Sequence, residues 1–232
     1  MTLLEVQSLD VFHGDLQAIF GLGFAVAERE AVALVGANGA GKTTLLRALV
    51  GLIDSKQGSV HFDGRDIADT PAETIARLGL GMVPEGRMLF DTLSVEENLL
   101  MGQVTRRPGS WTLRRVFDLF PALAERRNHL PRQLSGGQQQ MVSIGRALMC
   151  NPRLLLCDEI SLGLAPMMVE QIYGAFTDIR KEGTALVLVE QDVKRAASAS
   201  DRIYCLLKGR VSLAANAGEV SLAALTQAYF GM

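Results

Sequence analysis

Eight consecutive residues, Gly36-Ala37-Asn38-Gly39-Ala40-Gly41-Lys42-Thr43, combine three glycines with a lysine and a hydroxyl. Glycine at this density lets the backbone turn tightly enough for successive N–H groups to converge, and Lys42 adds a positive charge beside them. That is the chemistry of a cradle for phosphate oxygens. The apolar run Ala31 to Val35 comes directly before it, and the helical Thr44-Leu45-Leu46-Arg47 directly after. Strand, loop and helix in that order are the setting of a P-loop. Lys42 is then expected to reach the β- and γ-phosphates of a nucleotide and Thr43 to place its hydroxyl on Mg²⁺. Gly36, Asn38, Gly39, Ala40, Gly41 and Thr44 complete the expected binding loop.

Two further clusters carry chemistry. The run Leu154-Leu155-Leu156-Cys157 ends in Asp158-Glu159, so both carboxylates lie at the C-terminal end of a buried strand, where α/β sheets bind ligands. Asp158 suits Mg²⁺ coordination, directly or through water. Glu159 suits orienting and deprotonating the water that attacks a phosphoryl group. An acidic pair at a strand end also serves as a cap or as plain surface, so these roles lean on the P-loop. Between the two motifs, Leu134-Ser135-Gly136-Gly137-Gln138 feeds the helical stretch Gln139 to Leu148. A glycine-bearing loop again meets a helix N-terminus, which implies a second phosphate contact.

These residues must be held by strands and helices in alternation. Ala31 to Val35, Leu154 to Cys157, Ala185 to Val189 and Ile203 to Leu207 are apolar runs too short for helices and without polar alternation, as strands covered on both faces are. Leu3 to Val11 and Phe20 to Ala27 alternate more, as an antiparallel edge does. Helical patterns follow at Lys42 to Val50, Met167 to Lys181, Val193 to Ala199 and Ser221 to Gly231. The reading is one α/β domain over 1–232, with a mainly parallel core sheet, an antiparallel β edge and a helical insertion. The α/β core spans 1–93 and 150–232. The insertion spans 94–149, opening at the cap-like Ser94-Val95-Glu96-Glu97. Its paired arginines, such as Arg106-Arg107, read as solvated helix surface before they read as a docking face.

Composition bounds the rest. A net charge of −2 over 232 residues gives no electrostatic reason to expect nucleic acid as a partner. Cys150, Cys157 and Cys205 have no metal-ligand spacing and read as reduced thiols. The N-terminus lacks a signal-peptide pattern, and no apolar stretch approaches the ~20 residues that cross a bilayer, so a cytoplasmic chain is expected.

The P-loop, Leu134 to Gln138 and Asp158-Glu159 in this order resemble the motifs of ABC-type ATPases, and the resemblance extends over essentially the whole chain. It implies ATP and Mg²⁺ as cofactors. Phe12 fits the aromatic position that stacks on adenine in this family, a contact worth about 1–3 kcal/mol by analogy with other base platforms, although a lone Phe is equally often core. Val83-Pro84-Glu85-Gly86 resembles the Q-loop, with Glu85 where the family generally has Gln. The change removes a donor and adds negative charge near the metal. Glu190-Gln191-Asp192 resembles the switch region, with Gln191 where most members carry His. Its amide donates to a γ-phosphate oxygen but cannot titrate near neutral pH. Ile160 replaces a usual Pro ahead of Ser161 to Pro166, which loosens the turn after Glu159.

Family pairing is head to tail, so the resemblance implies that Ser135, Gly136, Gly137 and Gln138 of one chain meet the γ-phosphate held by Lys42 and Thr43 of another, identical or related cassette. Val83 to Arg87, Leu93 to Leu99, Ser161 to Pro166 and Val189 to Gln191 are similar to the second ATP-binding subunit of branched-chain amino acid importers. The implied partners are transmembrane permease subunits and, indirectly, a solute-binding protein. The implied place is the cytoplasmic face of the inner membrane. Importers of urea and short amides carry similar cassettes. A soluble ABC ATPase acting on DNA or ribosomes would need long coiled-coil arms or two fused cassettes, and this chain has neither.

Overall fold

Ala31 to Val35, Leu154 to Asp158 and Ala185 to Glu190 are buried at every position, because each runs through the middle of one sheet covered on both sides. A computed structural model describes residues 1–54 and 56–231. In it these runs are β3 (Ala31–Val35), β7 (Leu154–Asp158) and β8 (Ala185–Glu190), joined by β6 (Leu80–Val83), β9 (Arg202–Leu207) and β10 (Arg210–Asn216). The order is β10-β9-β3-β8-β7-β6. Every pairing is parallel except that of β10 with β9. The C-terminal ends of five parallel strands therefore lie along one edge.

The fold class is the one expected, but the N-terminal strands do not form an edge of that sheet. β1 (Thr2–His13) and β2 (Leu16–Ala27) pair antiparallel and, with β4 (Lys56–Phe62) and β5 (Arg65–Asp66), make a separate sheet of order β2-β1-β4-β5. The reason lies in their alternation. Leu4, Val6, Leu9 and Val11 of β1 need an apolar layer on one face only, and they find it against α1 (Lys42–Leu49) and the core sheet.

Period-two geometry divides the core-sheet side chains between layers. Val32, Leu34, Leu154, Leu156, Val187 and Val189 face α1, α2 (Ala72–Leu78) and the antiparallel sheet. Leu155, Cys157, Leu186 and Leu188 face the opposite way, against α3 (Val95–Leu100), α4 (Leu113–Leu119), α5 (Pro121–Ala124), α6 (Gly136–Leu148) and α7 (Pro166–Lys181). Ala33, Val35, Ile203 and Cys205 lie under α8 (Val193–Ser198) and α9 (Leu222–Phe230).

From Ser94 to Met149 the chain is helices, 3-10 turns and loops without a strand. Ser94 caps α3 as its pattern foretells: its hydroxyl accepts from the Glu97 N–H while the Glu97 carboxylate accepts from the Ser94 N–H. These helices share one apolar cluster with α7 and a face of the core sheet, so the insertion has no separate core.

Candidate functional site

The loop between β3 and α1 is shaped by two glycines that no other residue could replace. Gly41 has φ 102°, and a Cβ there would lie 2.6 Å from Ile19 Cδ1; a Cβ on Gly36 would lie 2.5 Å from the Leu206 carbonyl oxygen. The close packing of the loop on β2 and β9 fixes where its N–H groups point. Lys42 is buried, and its ammonium donates to the carbonyls of Gly36 at 2.7 Å and Ala37 at 3.1 Å. It also sits 3.1 Å from Glu159 Oε1, so the carboxylate meets the charge intended for phosphate.

Register brings the acidic residues to this loop. Asp158 pairs with Val189, and Val35 with Glu190, so the end of β7 lies level with the P-loop with only β8 between them. Thr43 Oγ1 donates to Asp158 Oδ1 at 3.2 Å. Burial pushes the Asp158 carboxyl up to about 6; the Thr43 hydrogen bond and Lys42 pull against this, and the charges of Glu159 and Glu85 add to it. Among the described residues nothing hydrogen-bonds Asp158 Oδ2, which is buried. An orphaned carboxylate oxygen beside a threonine hydroxyl, in a field of three carboxylates and one lysine, fits a divalent cation. No cluster of three His, Cys, Asp or Glu side chains among the described residues is set to chelate a metal unaided. Thr43, Asp158 and the oxygens of a nucleotide would share the ion.

Glu159 has left-handed backbone, φ 45°, which is strained for a residue with a Cβ. Its N–H donates to the Val189 carbonyl at 3.1 Å, and Gln191 Nε2 donates to its Oε2 at 2.6 Å. The Gln191 amide, expected to sense phosphate, thus reaches the candidate base in the nucleotide-free protein.

A cavity of about 590 Å³ lies over these groups. Asn38, Gly39, Gly41, Lys42, Thr43 and Thr44 line its floor, Glu85, Glu159 and Gln191 one side, and Leu16, Gln17, Ala18 and Phe20 of β2 another. Gly36 and Ala40 shape the loop from beneath. Phe12 does not line the cavity; it pairs with Gln17 across the β1–β2 hairpin. The next residue, His13, does not line it either, but its Nε2 lies 3.3 Å from Oγ1 of Thr44 on the cavity floor.

Ser135 to Gln138 do not line this cavity either. Ser135 is the exposed N-cap of α6, its hydroxyl accepting from the Gln138 N–H while its own N–H donates to Gln138 Oε1. Gly136 lies under the Arg87 guanidinium and Gly137 under Met168, where a Cβ would come within 2.9 Å and 2.4 Å of them.

A phosphate cradle between strand and helix, with carboxylates at the neighbouring strand ends, defines a P-loop nucleotide-binding protein. The ABC transporter family matches residues 19–161. The high-affinity branched-chain amino acid transport ATP-binding protein BraG of Pseudomonas aeruginosa is 42% identical over 211 residues, 90% of this chain and 91% of that protein. The probable branched-chain amino acid transport ATP-binding protein LivF of Archaeoglobus fulgidus is 31% identical over 94% of each chain. A solved bacterial ABC transporter cassette, described as dimeric, has a TM-score of 0.81 at 25% identity, over 92% of this chain and 98% of that one. The chain belongs to the ABC transporter family and is an ATP-binding cassette of it, an ATPase coupled to transport.

Proposed function

We propose that this chain is the ATP-hydrolysing subunit of an importer for branched-chain amino acids, paired with an identical or related cassette beneath a permease. The hydrolytic part of the reading is carried by one arrangement: Thr43 and Asp158 in contact beside Lys42, with Glu159 held by Gln191. The likeness to BraG supports the solute class.

Nucleotide phosphates entering the cradle draw the Lys42 ammonium away from Glu159. The released carboxylate, still anchored through Oε2 by Gln191, takes a proton from a water in line with the γ-phosphorus. The water oxygen bonds to phosphorus, the bond to the ADP oxygen breaks, and orthophosphate leaves. Thr43 and Asp158 would hold Mg²⁺, which would supply charge neutralisation at the transferring group, and Glu85 on the cavity wall is a further acidic side chain near them. His13 and the wall of β2 receive the adenine, taking the role expected of Phe12.

Ser135, Gly136, Gly137 and Gln138 do not line their own chain's cavity, which supports their serving the nucleotide of a second copy. Elsewhere on the chain Met88, Phe90, Leu100, Met101 and Val104 expose 40% to 76% of their surface. Asn98 ties the Phe90 backbone to α3. An apolar surface of this kind fits a cytoplasmic segment of the permease. No helix among the described residues is long and apolar enough to cross a membrane, so attachment falls to that contact. Co-purification with permease subunits and solute-stimulated ATP hydrolysis in liposomes test the reading. Leucine-stimulated turnover is expected; stimulation by urea and not by leucine would overturn the solute class.

A further inference from the structure

Glu190 ends β8 with only 3% of its surface exposed, one residue before Gln191, and the hydrolytic scheme above makes no use of it. A carboxylate stripped of water needs donors. Two hydroxyls provide them. Tyr173 on α7 donates through Oη to Oε1 at 2.5 Å, and Ser161, two residues after Glu159, donates through Oγ to Oε2 at 2.8 Å. Arg195 on α8 donates in turn to Ser161 Oγ at 3.0 Å. The Tyr173 ring packs edge-on against Phe176, with centroids 5.4 Å apart, which leaves the phenol little room to follow a displaced partner.

The turn that carries Glu159 needs such an anchor. Its left-handed backbone is strained and persists only where surrounding contacts over-determine it. Three successive residues at the end of β8 each hold one point of that turn. The Val189 carbonyl accepts from the Glu159 N–H, Glu190 accepts from Ser161, and Gln191 donates to the Glu159 carboxylate. The middle contact also ties the turn, through Tyr173 and Arg195, to α7 and α8.

We propose that Glu190 is a positioning residue for hydrolysis: by receiving the Ser161 and Tyr173 hydroxyls it clamps the turn after β7, so that Glu159 stays aimed at the attacking water. The inference rests on Glu159 being the base. Glu190→Ala releases the clamp, and a displacement of about 1 Å at a reacting group costs up to roughly 10²-fold. Turnover by the assembled transporter should therefore fall about 10- to 100-fold while KM for ATP stays within about twofold. Glu190→Gln should recover most of the loss, because its carbonyl accepts from one hydroxyl and its amide donates to the other.

A double-mutant cycle with Glu159→Gln separates positioning from plain folding. A residue acting through Glu159 has nothing left to position, so Glu190→Ala should add less than about twofold to the defect of Glu159→Gln. A full additive loss in that background, with Glu159→Gln itself slow, overturns the clamp alone. Near-normal turnover of Glu159→Gln overturns the base and the clamp together. Should Glu190→Ala fail to fold, Tyr173→Phe and Ser161→Ala each remove one donor, and unchanged turnover in both overturns the proposal.

Discussion

The Asp158 carboxyl, lifted to about 6 by burial and by the charges of Glu159 and Glu85, costs the nucleotide-free protein stability at neutral pH. In the unfolded chain it titrates near 3.8, so the folded form binds the proton more tightly. The stability this confers is complete below the unfolded value and is lost as pH rises through about 6. Asp158→Asn removes the buried charge and keeps an acceptor for Thr43. It should stabilise the nucleotide-free protein at pH 7.5 by on the order of 1–3 kcal/mol, with little effect near pH 4, while abolishing Mg²⁺-dependent hydrolysis. Denaturant unfolding at the two pH values reads this, and equal midpoints for both proteins at pH 7.5 would contradict it. The adenine platform offers a second comparison: His13→Ala should weaken ATP binding by roughly 1–3 kcal/mol and Phe12→Ala by much less. The reverse ranking in a nucleotide-binding titration would return the role to Phe12. Sequence alone named Asp158, Glu159 and Lys42 correctly as neighbours because each ends or follows an apolar strand. It offered Phe12 as the aromatic, whereas the contact with Thr44 belongs to His13; which side chain a strand end presents depends on register, and β1 carries irregularities beside Val11 that no pattern records.

At the scale of elements, the 3-10 turn Met101–Thr105 after α3 packs backbone to backbone on α6. A Cβ on Gly102 would come within 2.0 Å of the Arg146 carbonyl oxygen. Gly102→Ala must therefore push the two elements apart, and a destabilisation of about 1–3 kcal/mol is expected in urea unfolding, with nucleotide affinity little changed. An unaltered midpoint would mean that this contact is loose. The strands buried on both faces and the Ser94 cap were legible from composition and spacing. β6 and the β4–β5 hairpin were not, since Leu80-Gly81-Met82-Val83 is short and glycine-bearing, and β5 is only two residues long. β10 shows the strict alternation of a half-exposed strand, with burial switching at every residue, yet its apolar residues are mostly small. Separation of β1 and β2 into their own sheet depends on β4, and hence on a strand that local pattern does not announce.

For the whole molecule, five parallel strand ends on one edge gather the phosphate cradle, the carboxylates and Gln191, whereas Ser135 to Gln138 lie outside the cavity lining. The proposed second cassette would complete a site divided in this way, and the exposed apolar residues from Met88 to Val104 would receive the proposed membrane partner. Val104→Asp, at the most exposed of them, should lower the yield of co-purified permease severalfold without changing ATP affinity; unchanged recovery would move the docking surface elsewhere.

The claim that Glu159 is the general base, and Glu85 is not, is tested most directly by single-turnover hydrolysis of Glu159→Gln and Glu85→Gln in ATP and Mg²⁺, with size-exclusion analysis of each. Glu159 follows Asp158 on a rigid strand end and is gripped by Gln191 and Lys42, whereas Glu85 lies on the loop after β6. Glu159→Gln should keep its affinity for ATP, lose at least ~10²-fold in rate and accumulate as an ATP-bound dimer. Glu85→Gln should retain most of its basal hydrolysis. Near-normal turnover in Glu159→Gln beside an inactive Glu85→Gln would reverse the assignment.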